Sequence, residues 1–238
     1  MAQGGMKPFT IVLGGIAVIG VGLIAWQMTG GAPPRPSLSS APVAPAAGPR
    51  GVVVGSDSAP VEITEFADFE CPWCARFAIL TMQDIKNRLV ATGRARLRFV
   101  HFPLDMHPNS PTAHLAAACG NEQGRFWQMH DGIYDVQADL VASRRPDRTM
   151  REVARRVGLD LGRYDSCMRE QRAWPQVMAD KNFGLEAGVN GTPSFLINGR
   201  MLADGQVPRT GDEWVRLVDS LAAAAAAVTP PAARRPRD

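Results

Sequence analysis

The chain has 238 residues, of which 45% are hydrophobic and 21% charged, with a formal net charge of +3. That length suffices for one sizeable domain with appendages. The basic excess sits largely at the C-terminal end (Arg234, Arg235, Arg237), and no basic stripe is interleaved with aromatics, which argues against a nucleic-acid-binding class.

Taken in chain order, Lys7 precedes an uncharged apolar run from Pro8 to about Met28. The run is about as long as a helix needs to cross a bilayer and longer than the apolar part of an ordinary signal peptide. It predicts a cytoplasmic stub at 1–7 and an uncleaved transmembrane signal anchor at 8–28, with cleavage after Gly31 as the alternative. Residues 29–50 are dominated by proline and alanine and lack a hydrophobic period, so they read as a semi-rigid linker. At about 3.1 Å per residue such a linker reaches at most roughly 60 Å. A folded domain is expected over 51–228 and a disordered tail over 229–238.

Within the domain, Val52–Val54 and Val61–Ala67 read as strands. A helix is expected from Cys71 or Pro72 to about Ala91, because Phe77, Leu80, Ile85 and Leu89 recur at near-helical spacing. Ala95 to Phe102 alternates and reads as a strand. From about 108 to 188 the texture is helical, with segments near 110–122, 124–138, 149–157, 161–171 and 174–187. Ser194–Ile197 and Arg200–Ala203 then flank an Asn198-Gly199 hairpin turn. A last helix runs from Asp212 to about Ala226, with Trp214, Leu217, Val218 and Leu221 on one face. This order predicts an α/β fold, a central mixed sheet with helices on both faces.

Of the four cysteines, Cys71, Cys74, Cys119 and Cys167, the first two form a C-P-x-C at a strand-to-helix junction. The even count is compatible with bridges and an oxidising compartment. With Cys71 as N-cap, Pro72 falls at the first helical position, where its missing N–H costs nothing. The Cys71 sulfur then faces free backbone N–H groups and the positive end of the helix dipole, which favour the thiolate. Cys74, one turn on, is placed to act as a resolving thiol. A half zinc site or a structural bridge is the competing reading, but zinc takes four ligands and no second close Cys or His pair is present. His101, His107, His114 and His130 lack ligand spacing and read as turn, core or helix-surface residues.

The runs EFADFECPWCARF, HFPLDMHP, AAACGNEQGRFWQMHD and GVNGTPSFLING, spread over roughly 55–205, resemble the DsbA-like thiol-disulfide oxidoreductase branch of the thioredoxin superfamily. The resemblance implies a thioredoxin fold with a helical insertion at about 108–188. It implies Cys71 as the nucleophile and Cys74 as its partner, and Pro193 as a cis-proline facing them with Thr192 before it. Glu65, six positions before Cys71, matches a buried acid that relays a proton to or from Cys74, against a partly solvated carboxylate with no proton role. Cys119 and Cys167 match a second pair expected to form a structural disulfide, with buried free thiols or a redox shuttle as alternatives. Trp73 is read either as a substrate-docking surface or as packed on its own domain; Pro72-Trp73 departs from the Pro-His of the best-known oxidases.

The expected function is an oxidase that donates disulfides to cysteine-containing secreted proteins, monomeric and tethered to the bacterial cytoplasmic membrane with its catalytic domain outside the cytoplasm. A membrane redox partner would re-oxidise it, and no cofactor, metal or nucleic acid is implied. A reductase or isomerase fed by a membrane electron donor is the alternative, and a redox-inert adaptor or chaperone the lesser one.

Overall fold

The strand Val61–Ala67 (β2) carries Glu62, Thr64 and Glu65 among its apolar residues, and every residue but Glu62 is buried. Such a run belongs in the middle of a sheet covered on both faces. In the computed structural model, which describes Leu38, residues 50–203 and residues 205–228, β2 is the central strand. With Val52–Val54 (β1), Ala95–His101 (β3), Ser194–Ile197 (β4) and Arg200–Met201 (β5) it forms a five-stranded sheet of order β1-β3-β2-β4-β5. Only β2 and β3 run parallel; the other pairs are antiparallel. Glu62 lies opposite Arg96 and bonds it at 2.6 Å and Arg98 at 3.0 Å, so the one polar position of β2 that is not buried is charge-paired across the strands.

The expected stub, the transmembrane anchor at 8–28, nearly all of the linker and the tail lie outside the described residues. Among the described residues no helix is long and apolar enough to cross a membrane.

Between β2 and β3 the chain crosses over through α1 (Pro72–Leu80), α2 (Met82–Ile85) and a π-helical turn (Lys86–Val90). The periodicity predicted one helix here. The break falls at Thr81 (φ −121°, ψ −40°), and beyond it Met82, Ile85 and Leu89 face the core. Leu80, counted in the apolar period, is left 63% exposed.

The segment between β3 and β4 is helical: α3 (Ser110–Asn121), α4 (Phe126–Asp135), α5 (Gln137–Ala142), α6 (Pro146–Arg156), α7 (Leu161–Glu170) and α8 (Trp174–Glu186). The span expected as one helix over 124–138 is two, separated at Val136 (φ −113°, ψ 21°). The helix expected from 149 starts earlier, because Pro146 occupies a first-turn position that needs no N–H donor. A disulfide joins Cys119 on α3 to Cys167 on α7, with Cα atoms 5.8 Å apart. The hairpin's return strand is shorter than expected: it ends at Met201, and Leu202 beyond it bonds the Phe195 carbonyl at 2.9 Å and forms an isolated bridge to Leu38.

On one sheet face, α9 (Gly211–Val228) packs Trp214, Leu217 and Val218 against Phe77, Ile63 and Phe195. Further along that face, Ala67 and Phe99 meet the helical insertion. On the other face Phe66, Val100 and Leu196 meet Phe183 of α8. Gly184 permits this: a Cβ there would lie 2.5 Å from the Phe102 ring.

Candidate active site

The site grows from the C-terminal end of β2. Strand alternation puts Glu65 and Ala67 on the face that carries Val61 and Ile63. The chain then turns through Asp68–Glu70 into α1. The Asp68 carboxylate, fully buried, accepts from the N–H groups of Glu70 (2.7 Å) and Leu104 (2.6 Å), tying the turn to the loop after β3. Glu70 accepts from the Asn109 N–H at 2.6 Å. Side chains of the insertion hold the same turn from the other side. Tyr134 donates its hydroxyl to the Asp68 carbonyl (3.3 Å), and the Gln137 amide donates to the carbonyls of Phe69 (2.8 Å) and Cys71 (2.9 Å).

Cys71 is the N-cap of α1, in extended conformation (φ −70°, ψ 121°), with Pro72 following at the first position. Cys71 and Cys74 are both free thiols, and Cys74 is fully buried. The peptide bond between Thr192 and Pro193 is cis. The Cys71 sulfur lies 3.3 Å from the Thr192 carbonyl oxygen, so the two sequence-distant motifs meet at one sulfur.

The electrostatics of the two thiols differ. A hydrogen bond from the Cys74 thiol, with support from the Thr192 side chain and the backbone N–H groups of Cys74 and Trp73, holds the Cys71 thiol down at about 5 despite its burial. Burial first, and the neighbouring Cys71 and Glu65 charges next, push Cys74 well above the ordinary thiol value. Near neutral pH the pair therefore consists of one thiolate and one thiol, the asymmetry that exchange chemistry requires.

Glu65 is fully buried, and neither carboxylate oxygen has a hydrogen-bond partner. Desolvation pushes its pKa up to about 8, against an opposing pull from Lys86. It is a carboxyl that holds its proton at neutral pH. Trp73 is 65% exposed beside Cys71, with Ile79, Leu80 and Met106 also exposed. Among the described residues no group of three or more His, Cys, Asp or Glu is placed to hold a metal ion.

Some of the site's surroundings were not legible in the sequence. His101, His114 and His130 come from separate elements yet converge in one buried cluster, with the Nδ1 atoms of His101 and His114 2.8 Å apart. Burial drives all three pKa values down, His101 to about 3, so the cluster is neutral. Phe69, two residues before Cys71, packs on this cluster with its ring 4.8 Å from that of His114 and 5.1 Å from that of Tyr134. Nothing in the sequence marked Gln137 or Tyr134; the short apolar–polar alternation around them carries no motif.

Comparison with known proteins agrees with this geometry. A family model described as Thioredoxin matches residues 48–220. A protein named Na(+)/H(+) antiporter NhaA 3 from Salinispora tropica is 36% identical over 152 residues, covering 63% of this chain and 22% of that protein. The chain thus spans only about a fifth of the antiporter-named relatives. A probable disulfide bond formation protein D from Bacillus anthracis is 24% identical over 155 residues, covering 62% of this chain and 70% of that one. Among solved structures, oxidised BdbD from Bacillus subtilis superposes with a TM-score of 0.63 at 20% identity, covering 72% of this chain and 92% of the other. Wolbachia pipientis alpha-DsbA1 superposes at 0.62 and 19% identity, covering 74% and 92%. The order β-β-α-β, helical insertion, β-β-α and the match over most of the domain lead to one assignment: the chain belongs to the thioredoxin family, with the fold of its DsbA-type members.

Proposed function

We propose that this protein is an extracytoplasmic thiol-disulfide oxidoreductase that donates the Cys71–Cys74 disulfide to cysteine-containing secreted proteins. The observation that carries the proposal is the asymmetry of the pair: a Cys71 thiol held down at about 5 at a helix N-terminus beside the cis-proline, and a buried Cys74 held high.

In the forward reaction a substrate thiolate attacks the Cys71 sulfur of the disulfide. The Cys71–Cys74 bond breaks and a substrate–Cys71 mixed disulfide forms, leaving the electron pair on Cys74. Glu65, protonated at neutral pH, supplies a proton to that buried sulfur. A second substrate thiolate then attacks the substrate sulfur of the mixed disulfide and releases Cys71 as a thiolate. Because a low-pKa thiol leaves readily, the same stabilisation speeds this step and favours the reduced enzyme, the property of a disulfide donor. A membrane redox partner then accepts two electrons and re-forms the bond. The exposed Trp73, with the Thr192 backbone ahead of Pro193, provides a surface for an extended substrate chain.

The expected tether at 8–28 and the Pro/Ala linker would keep the domain near the cytoplasmic membrane on its outer side, as a monomer. The occurrence of a similar segment in proteins named as antiporters supports a place beside a membrane. Ion transport is no part of the proposal, since the match covers 22% of that relative.

The test is the oxidation of a reduced, unfolded substrate by the pre-oxidised full chain, followed by free-thiol counting. The parent should transfer two oxidising equivalents per molecule, and Cys71→Ser none. A Cys71→Ser variant that oxidised substrate at the parent's rate would end the proposal.

A further inference from the structure

Residues 68–71 link the central strand to the helix that bears both thiols, and they carry the Cys71 sulfur's position. Most of the polar groups that fix this turn are its own or those of the loop after β3. One anchor is different. The half-buried Gln137, first residue of α5, places a single amide nitrogen between two carbonyl oxygens of the turn, 2.8 Å from that of Phe69 and 2.9 Å from that of Cys71. An amide NH2 has two hydrogens, so both bonds are made at once, and the nitrogen rather than the oxygen must face the turn.

The second of these bonds reaches the residue that matters. The Cys71 carbonyl also accepts the first bond of α1, from the Ala75 N–H at 3.1 Å, while the Cys71 N–H donates to the Asp68 carbonyl at 3.1 Å. With Gln137 added, the Cys71 peptide is fixed from both ends. The sulfur is thereby aimed at the backbone N–H groups of Trp73 and Cys74 at the start of α1, which favour its thiolate. Tyr134, three residues earlier on the adjoining helix, supports the same turn through the Asp68 carbonyl.

We infer that Gln137 is a positioning residue for thiol-disulfide exchange, a clamp through which the helical insertion fixes the Cys71 backbone in the orientation that stabilises its thiolate. The inference rests on the proposed exchange chemistry of Cys71, but it concerns a residue that touches neither sulfur.

The test compares the full reduced chain with Gln137→Met, which keeps length and bulk but removes both donors. Gln137→Glu, which turns an acceptor toward two carbonyls, and Gln137→Ala complete the series. The readout is thiolate absorbance near 240 nm against pH, with far-UV circular dichroism and the Cys119–Cys167 disulfide as controls for folding. In Gln137→Met the Cys71 titration should move up by about half a unit to one unit, a three- to tenfold lower thiolate-to-thiol ratio at a given pH. Gln137→Glu should move it further, because its charge adds to the lost bonds. If Met or Glu at this position prevents folding, Gln137→Ala gives the same reading. Folded variants that titrate with the parent would overturn the clamp and leave the exchange chemistry intact. A parent with no thiolate formed below pH 7 would instead overturn the proposed function itself.

Discussion

Replacing Glu65 by glutamine isolates the energetic cost of the acid beneath the thiols. Glu65 is fully buried with no partner for either oxygen, and its pKa is pushed up from 4.5 to about 8 by desolvation. In the unfolded chain it titrates at its ordinary value, so between these two pH values the folded state binds more protons. Stability from this group is therefore intact below pH 4.5 and is lost as the pH rises through 8. At 1.36 kcal/mol per pKa unit, the loss reaches about 3 kcal/mol at pH 7 and approaches about 5 kcal/mol above pH 8. The neutral glutamine amide has no charge to desolvate, so the variant should lack this slope. Denaturant unfolding of reduced parent and Glu65→Gln, at intervals from pH 4 to pH 9, reads the effect directly. The difference between them should open in favour of the variant by about 3 kcal/mol between pH 4 and 7. Taking the difference removes shared contributions from Asp180, whose pKa burial raises to about 6, and from Cys71. Parallel curves would refute the reasoning, since they would mean that Glu65 ionises in the fold as easily as in water.

Three further outcomes are expected. Offered an oxidised substrate, Cys74→Ser should accumulate the substrate–Cys71 mixed disulfide, visible on non-reducing gels: the Cys71 thiolate breaks the substrate disulfide, one substrate sulfur leaves as a thiolate, and Cys74, which would attack the Cys71 sulfur and release the other, is gone. Alkylation of the reduced chain should increase with pH around a midpoint near 5 and modify Cys71 first, because Cys74 keeps its proton well above the ordinary thiol range. Removing the Cys119–Cys167 bridge by double substitution to Ala opens a loop of sequence separation 48 and should cost about 4 kcal/mol by chain entropy, read by denaturant unfolding under oxidising conditions.

The scaffold was readable where local rules act alone. The strand Val61–Ala67, the Cys71-Pro72 helix start and the Asn198-Gly199 turn each follow from a short-range preference, and each lies where that preference puts it. The thiol asymmetry was half legible. The N-cap position foretold a stabilised Cys71, but the contribution of the Thr192 side chain, 121 residues away, needed the fold to bring it to the sulfur. Other features resisted for the same physical reason. The break at Thr81 and the π turn re-phase Ile85 and Leu89 onto a core formed by distant α9, so an uninterrupted period misassigned the exposed Leu80. His101, His114 and His130 carried no ligand spacing, and only the fold brings them from separate elements into one core. Gln137 is an ordinary helix residue in sequence, and its partners are carbonyls that sequence patterns do not distinguish.

The central claim, that a stabilised Cys71 thiolate makes this protein a disulfide donor, is tested most directly by the reduction potential of the Cys71–Cys74 pair. The full chain would be equilibrated in glutathione buffers and followed by thiol alkylation and tryptophan fluorescence. A value toward about −120 mV is predicted, the range of strong oxidants with a stabilised reduced form. A value near about −270 mV, typical of thioredoxin-like reductants, would contradict the claim and make the protein a remover of disulfides.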